Sequence, residues 1–186
     1  MIIGLTGSFG AGKGTVVDYL TERKGFKHYS ARELITEEIV RRNMPVNRDS
    51  MITVSNDLRA ENGPVYIIET LFNRAQQNGG NAIIESIREV AGARFIKEQG
   101  GVVIGVDADS RLRYDRAFKR GGVTDNVTYE TWLEQERKES NSGDPNKQDI
   151  FGALKESDFI LTNDGSMEDL HAQIENVLTA LEKSST

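Results

Sequence analysis

The chain has 186 residues, no cysteine, two histidines, and 23 basic against 29 acidic residues, a formal net charge of −6. This length holds one domain with a core that needs no staples; the missing cysteines exclude disulfides, thiol catalysis and cysteine-ligated zinc, and His28 and His171 are too few for a histidine-built metal site. The acidic balance argues against a nucleic-acid partner, so any phosphate site has to be locally basic. No run of about 18 apolar residues is present, so no membrane span is expected, and the N-terminus enters an apolar run without a basic leader, which leaves the cytoplasm as the expected compartment.

In chain order, Ile2–Thr6 reads as a strand, followed by a glycine-rich turn and a helix over Thr15–Arg23. A short strand near Lys27–Tyr29 leads to helices over Glu33–Arg42, about Ser50–Ala60, and Pro64–Gln77. The strands Ala82–Ser86 and Val102–Val106 flank a helix over Val90–Gln99, and helices over Ser110–Arg120 and Thr128–Glu139 follow. Ser140–Asp149 is too polar and turn-rich to pack and is expected to lack regular structure. A last strand, Phe159–Thr162, precedes a helix over Glu168–Leu181, where Leu170, Ile174, Val177, Leu178 and Leu181 share a face and Ser166 with Asp169 forms a capping box. Short, continuously apolar strands alternating with helices predict an α/β, three-layer architecture: a five-stranded parallel sheet covered by helices on both faces.

The most informative stretch is GSFGAGKGT, Gly7–Thr15, at a strand-to-helix junction. Its spacing, G-x4-G-K-G-T, is that of a phosphate loop with one extra glycine before the threonine. Glycines let backbone N–H groups turn inward around a polyphosphate, the helix N-terminus adds free N–H groups and a positive dipole end, and Lys13 supplies a mobile charge. The expected triphosphate contacts are Ser8, Phe9, Gly10, Ala11, Gly12, Lys13, Gly14 and Thr15. Gly14 stands where a hydroxyl often meets Mg²⁺, which leaves that contact, or a turn-capping role, to Thr15.

GSFGAGKGT resembles the loop of the adenylate kinase group of nucleoside monophosphate kinases. KHYSARELITEEI is similar to their second strand and acceptor-side helix, AIIESIRE to their third strand, and VDADSRLRYDRAFKRGG to their fourth strand and lid-entry helix. SDFILTNDGSMEDL is similar to their adenine-side loop, in a version also seen in dephospho-CoA kinases. The resemblance spans nearly the whole chain and implies a P-loop kinase domain over 1–186, with an acceptor-binding helical insert at 30–80 and a short helical lid at 121–142. It also implies ATP and Mg²⁺ as cofactors, a small-molecule nucleotide substrate, no nucleic-acid or membrane partner, and a monomer or homodimer.

The resemblance makes Arg88 a clamp on the acceptor's phosphate; the plain alternative is a surface arginine paired with Glu89. Glu85, the acidic residue of the apolar third strand, holds Mg²⁺ with Thr15 or positions the acceptor. Arg113, Arg116 and Arg120 share a helix face at i, i+3 and i+7. Arg116 and Arg120 match lid-entry arginines, expected against adenine and on the phosphates, with a solvated face paired to Asp109 and Asp115 as the alternative. Asn163 and Gly165 would contact adenine. On the acceptor side, Ser30 and Arg32 replace the family's usual pattern and Thr36 stands where an arginine is expected. Arg59 is the candidate replacement charge, unless it pairs with Asp57 or Glu61. His28 is expected to be structural, Arg137 to be either a lid arginine or part of a charged face, the stretch 121–142 to carry little apolar surface, and Trp132 and the other aromatics to be too scattered for a base-stacking platform.

These readings converge on a phosphotransferase moving the γ-phosphate of ATP to a small phosphorylated acceptor, with a nucleoside monophosphate, ribo or deoxy, as the expected one. The catalytic set is Lys13, Arg88, Arg116 and Arg120. A dephospho-CoA kinase and a P-loop ATPase or nucleotide switch without an acceptor remain as alternatives.

Overall fold

A computed structural model of the chain describes residues 1–120, 127–139 and 148–184. In chain order the elements are β1 (Ile2–Gly7), α1 (Lys13–Lys24), β2 (Lys27–Ser30), α2 (Ala31–Arg41), α3 (Arg48–Asn62), α4 (Tyr66–Asn78), β3 (Ala82–Ile87), α5 (Val90–Glu98), β4 (Val102–Asp107), α6 (Ser110–Arg120), α7 (Tyr129–Glu139), α8 (Ile150–Lys155), β5 (Phe159–Thr162) and α9 (Met167–Ser184). The five strands form one parallel sheet in the order β2-β3-β1-β4-β5.

The strands are apolar throughout because helices cover both faces. Successive side chains point to opposite faces, so Ile83 joins Ile3, Leu5 and Ile104 under Val16, Leu20 and the apolar stripe of α9, while Ile84 joins Ile87 and Val103 under α2, α3, α4 and α5. The capping box on α9 is present: Ser166 Oγ accepts from the Asp169 N–H at 3.1 Å, and the Ser166 N–H donates to Asp169 Oδ2 at 3.0 Å.

Two features depart from the sequence reading. The third strand continues past Ser86 through a bulge: Leu5 pairs with Glu85 but Thr6 pairs with Ile87. Ser86 is skipped with φ at 70°, a left-handed conformation that a serine rarely adopts. The helix α8, six residues long, lies too short for a helical period to be read. It forms because the Asp149 side chain caps it, accepting from the Gly152 N–H at 2.8 Å, and because Ile150 and Ala153 are buried. The expected unstructured stretch lies outside the described residues from Ser140 to Lys147. Among the described residues, no helix is long and apolar enough to cross a membrane.

Candidate functional site

β1 leads into the sheet's reversal point, with β3 on one side and β4 on the other, where ligands of open α/β sheets bind beyond the strands' carboxyl ends. The loop Gly7–Thr15 stands at that point. Its backbone N–H groups at Phe9, Gly10, Gly12 and Gly14 have no acceptor among the described residues. Adjacent unpaired donors at a helix N-terminus are the physical requirement of an anion cradle.

Two glycines are required by geometry. Gly12 caps α1 at φ 100°, and a Cβ there would come within 2.2 Å of Asn163 Nδ2; Gly10 has φ 75°, and a Cβ would come within 2.4 Å of the Arg113 carbonyl oxygen. Gly14 is different: a Cβ would meet nothing within 4 Å. The residue that sets this loop apart from the commoner spacing is therefore not demanded by the fold. Lys13 Nζ lies along the loop, donating to Gly7 O at 2.8 Å and Ser8 O at 3.0 Å.

Beside the loop, β3 delivers Glu85. Its carboxylate meets His28 Nε2 at 3.1 Å, and this hydrogen bond, followed by the charges of His28, Lys13 and Arg88, holds its pKa below the ordinary value against the opposing effect of burial. The same bond to Glu85 raises His28 above its ordinary 6.5. Mg²⁺ takes one or two carboxylates together with phosphate oxygens and water. A half-buried, ionised Glu85 and the Thr15 hydroxyl fit such a one-carboxylate site, and among the described residues there is no cluster of three or more His, Cys, Asp or Glu that would suit a self-contained metal cage. His28 is thus the partner of a candidate site residue as well as a strand residue.

Arg88 follows the bulge. Its guanidinium lies 5.4 Å from the Phe9 ring centroid, and Nη1 donates to Gln148 Oε1 at 3.3 Å. Glu89 is not its salt-bridge partner. Glu89 is buried and pairs with Arg59, while its other oxygen accepts the Arg88 backbone N–H at 3.3 Å. This corrects the acceptor-side reading of Arg59. Only 7% exposed, its guanidinium sits inside the protein, and Asp57 and Glu61 face Arg42 instead. Each of the two buried charges, Arg59 and Glu89, depends on the other, because either one left alone inside the protein would be an uncompensated charge. Ser30 is likewise occupied, accepting from the Glu33 N–H at 3.4 Å as the cap of α2, and Arg32 is exposed on the first turn of that helix.

On the other side of the loop, Asn163 Nδ2 donates to Ala11 O at 2.8 Å and Arg116 Nη2 donates to Asn163 O at 2.9 Å. Arg116 Nη1 is buried with no hydrogen-bond partner among the described residues. Asn163, Arg116 and the loop are therefore brought together, with Gly165 two residues beyond Asn163. The Arg120 side chain and residues 121–126 and 140–142 of the expected lid lie outside the described ones. Arg137 is exposed on α7.

The sequence predicts the helices α6 and α7 but not how they dock. Arg113 does not face solvent: it is 5% exposed and paired with Glu136 of α7. The aromatics meet. Tyr114 lies 5.4 Å from Tyr129 and 6.0 Å from Trp132, and Tyr129 stacks on Trp132 at 6.5 Å. Tyr114 and Phe118 lie on α6 at i, i+4 and Tyr129 and Trp132 on α7 at i, i+3. Each pair covers one helix face, and only docking of the two helices makes them a cluster.

Residues 3–140 match the AAA domain family. The chain is 28% identical over 185 residues to a UPF0200 protein of Thermococcus kodakarensis, covering 96% of each, and 29% identical over 186 residues to a UPF0200 protein of Pyrococcus abyssi, covering 96% and 95%. TT1252 from Thermus thermophilus superposes with a TM-score of 0.63 at 22% identity over 97% of both chains. Shikimate kinase from Acinetobacter baumannii, in complex with shikimate, superposes with a TM-score of 0.58 at 17% identity over 98% of this chain and 93% of its own. At these identities the likeness is one of fold, a small P-loop kinase-like α/β domain.

Proposed function

This chain belongs to the AAA domain family, and we propose that it is an ATP-dependent phosphotransferase that passes the γ-phosphate of ATP to a small phosphorylated acceptor, a nucleoside monophosphate. The observation that carries the reading is the row of unpaired loop N–H groups and Lys13 standing beside Glu85 and Arg88 at the carboxyl edge of the adjoining strand. A shikimate kinase and a sugar kinase of the same fold support phosphoryl transfer as the reaction class.

The chemistry asks for positioning and charge neutralisation rather than a covalent nucleophile. The loop N–H groups and Lys13 bind the β- and γ-phosphates. Arg116 and Asn163 take the adenine side. Arg88, resting on Phe9, presents its fork to the acceptor's phosphate. An acceptor oxygen forms the new bond to the γ-phosphorus as the bond from that phosphorus to the bridging oxygen breaks, and Lys13 and the loop N–H groups stabilise the charge left on ADP. Mg²⁺, held by Thr15 and Glu85, would offset triphosphate charge.

Burial of Arg59 favours a second reading, since it removes a cation from the acceptor side: an ATPase or nucleotide-driven switch with no acceptor. ADP release measured against a panel of nucleoside monophosphates and dephospho-CoA separates the two. Acceptor-dependent release with a nucleoside monophosphate is the expected result; release with dephospho-CoA alone would reassign the acceptor, and release independent of every acceptor would establish the second reading.

A further inference from the structure

Arg113 has no task in the chemistry above, yet it is held from every side. Its Nε donates to Ala108 O at 2.9 Å, Nη1 donates to Phe9 O at 3.2 Å and to Glu136, and Nη2 donates to Glu136 Oε2 at 3.1 Å. The Trp132 ring centroid lies 5.2 Å from its guanidinium carbon. Asp107 Oδ1 is 3.6 Å from Nε, and the Arg113 main-chain oxygen occupies the space a side chain on Gly10 would need. One residue thus touches the tip of the phosphate loop with both side chain and backbone, and grips α7 with the far edge of its guanidinium.

The Phe9 carbonyl and the Gly10 N–H belong to one trans peptide and point in opposite directions. Drawing Phe9 O onto Arg113 therefore turns the unpaired Gly10 N–H away from the guanidinium and fixes it as a donor. Without the pin, a peptide flanked by a glycine at positive φ turns over at little cost, and its oxygen then repels phosphate. A buried Arg–Glu pair is a weak source of stability, but it specifies a geometry that apolar residues would leave free.

We infer that Arg113 and Glu136 are a positioning pair that locks the tip of the phosphate loop to α7, so that triphosphate binding and docking of α7 strengthen one another. The pair acts through the Phe9–Gly10 peptide rather than by touching the nucleotide. Because linkage is reciprocal, loosening the lock weakens nucleotide binding by the factor by which nucleotide tightens α7. The inference rests on the loop being an ATP site.

The test is equilibrium dialysis with labelled ATP on the wild type, Glu136→Gln and Glu130→Gln, joined to hydrogen exchange of α7 with and without ATP. Glu136→Gln keeps shape and removes the charge that orients Arg113. It is expected to weaken ATP about tenfold, within the usual range of such couplings, while Glu130→Gln, exposed on the same helix, leaves affinity unchanged. ATP is expected to slow exchange along α7 in the wild type and to lose that effect in Glu136→Gln. Trp132, the single tryptophan, gives a fluorescence reading of the same joint. Wild-type affinity in a folded Glu136→Gln overturns the inference. If that variant does not fold, the wild type decides alone: α7 exchange indifferent to ATP overturns it. A wild type that binds no ATP overturns the donor-site reading itself and this inference with it.

Discussion

On the proposed donor side, the phosphate-loop groups come from a single strand-to-helix turn, and the N–H groups of Phe9, Gly10, Gly12 and Gly14 have no acceptor among the described residues. On the proposed acceptor side, the polar groups come from separate segments and largely answer one another: Arg59 pairs with Glu89, His28 with Glu85, and the Ser30 hydroxyl caps α2. The difference teaches what each kind of geometry depends on. A phosphate cradle is a local backbone conformation, so neighbouring residues specify it. A charge waiting for an acceptor is defined by which opposite charges the fold leaves out of reach, and that is settled by distant segments.

Breaking the donor side at its lysine is expected to have the largest effect. Lys13→Ala should lower kcat/KM for phosphoryl transfer on the order of 10³-fold, with its thermal midpoint close to wild type, because the ammonium contacts loop carbonyls rather than core. Ordinary turnover in that variant would place the chemistry away from the loop.

The acceptor side should answer in stability instead. Arg59→Met strands a buried Glu89 carboxylate and is expected to cost about 3–5 kcal/mol in urea unfolding, part of which Glu89→Gln on the same chain restores. A normal unfolding midpoint coupled to a raised acceptor KM would return Arg59 to the cleft.

Within the loop, two glycines sharpen the contrast. Gly12→Ala must hold φ 100° and displace Asn163, so a loss of about 1–3 kcal/mol is expected, together with weakened ATP binding. Gly14→Ala enters open space and should gain about 0.4–1 kcal/mol. Calorimetric scans of both variants check the order; equal effects would mean that the loop tolerates no side chain for reasons other than backbone conformation.

The smallest effect is a pH dependence on the acceptor side. His28 is raised above its ordinary 6.5 and Glu85 lowered below its ordinary 4.5, each chiefly by their mutual hydrogen bond. The pair's stabilisation is therefore complete between those two ordinary values. It fades as pH rises through the raised value of His28 or falls through the lowered value of Glu85. His28→Gln should be less stable than wild type by under about 1 kcal/mol near pH 5.5 and equal to it near pH 9. A gap that does not change with pH would show that His28 acts by packing alone.

Most of the fold was legible because burial on both faces writes continuous apolar strands and glycine punctuates the turns. The strand Phe159–Thr162 and the helix Ser110–Arg120 carry the boundaries their patterns predict. The bulge at Ser86 was not legible, since no glycine marks it; the Thr6 hydroxyl, donating to Ile87 O at 2.8 Å, ties the displaced strand across β1. The helix α8 escaped notice because one cap and two buried side chains are too few for a period to show. At the site, Asn163 and Arg116 stand beside the loop. The pairing of Arg113 was not legible, because the one signal for it, an acidic residue on another helix, is indistinguishable in sequence from the other carboxylates of α7.

The amino-acid sequence by itself determined the layered α/β fold and the phosphate loop, because the 2.0 and 3.6 periods and the conformational freedom of glycine act over a few residues at a time. Only the tertiary structure decided which partners the arginines meet. Arg59, Arg88 and Arg113 are alike in sequence, each near carboxylates and each on a plausible face. Their fates diverge because an ion pair forms between whichever opposite charges the packing of helices brings within about 4 Å, and Glu89 and Glu136 reach Arg59 and Arg113 from 30 and 23 residues away.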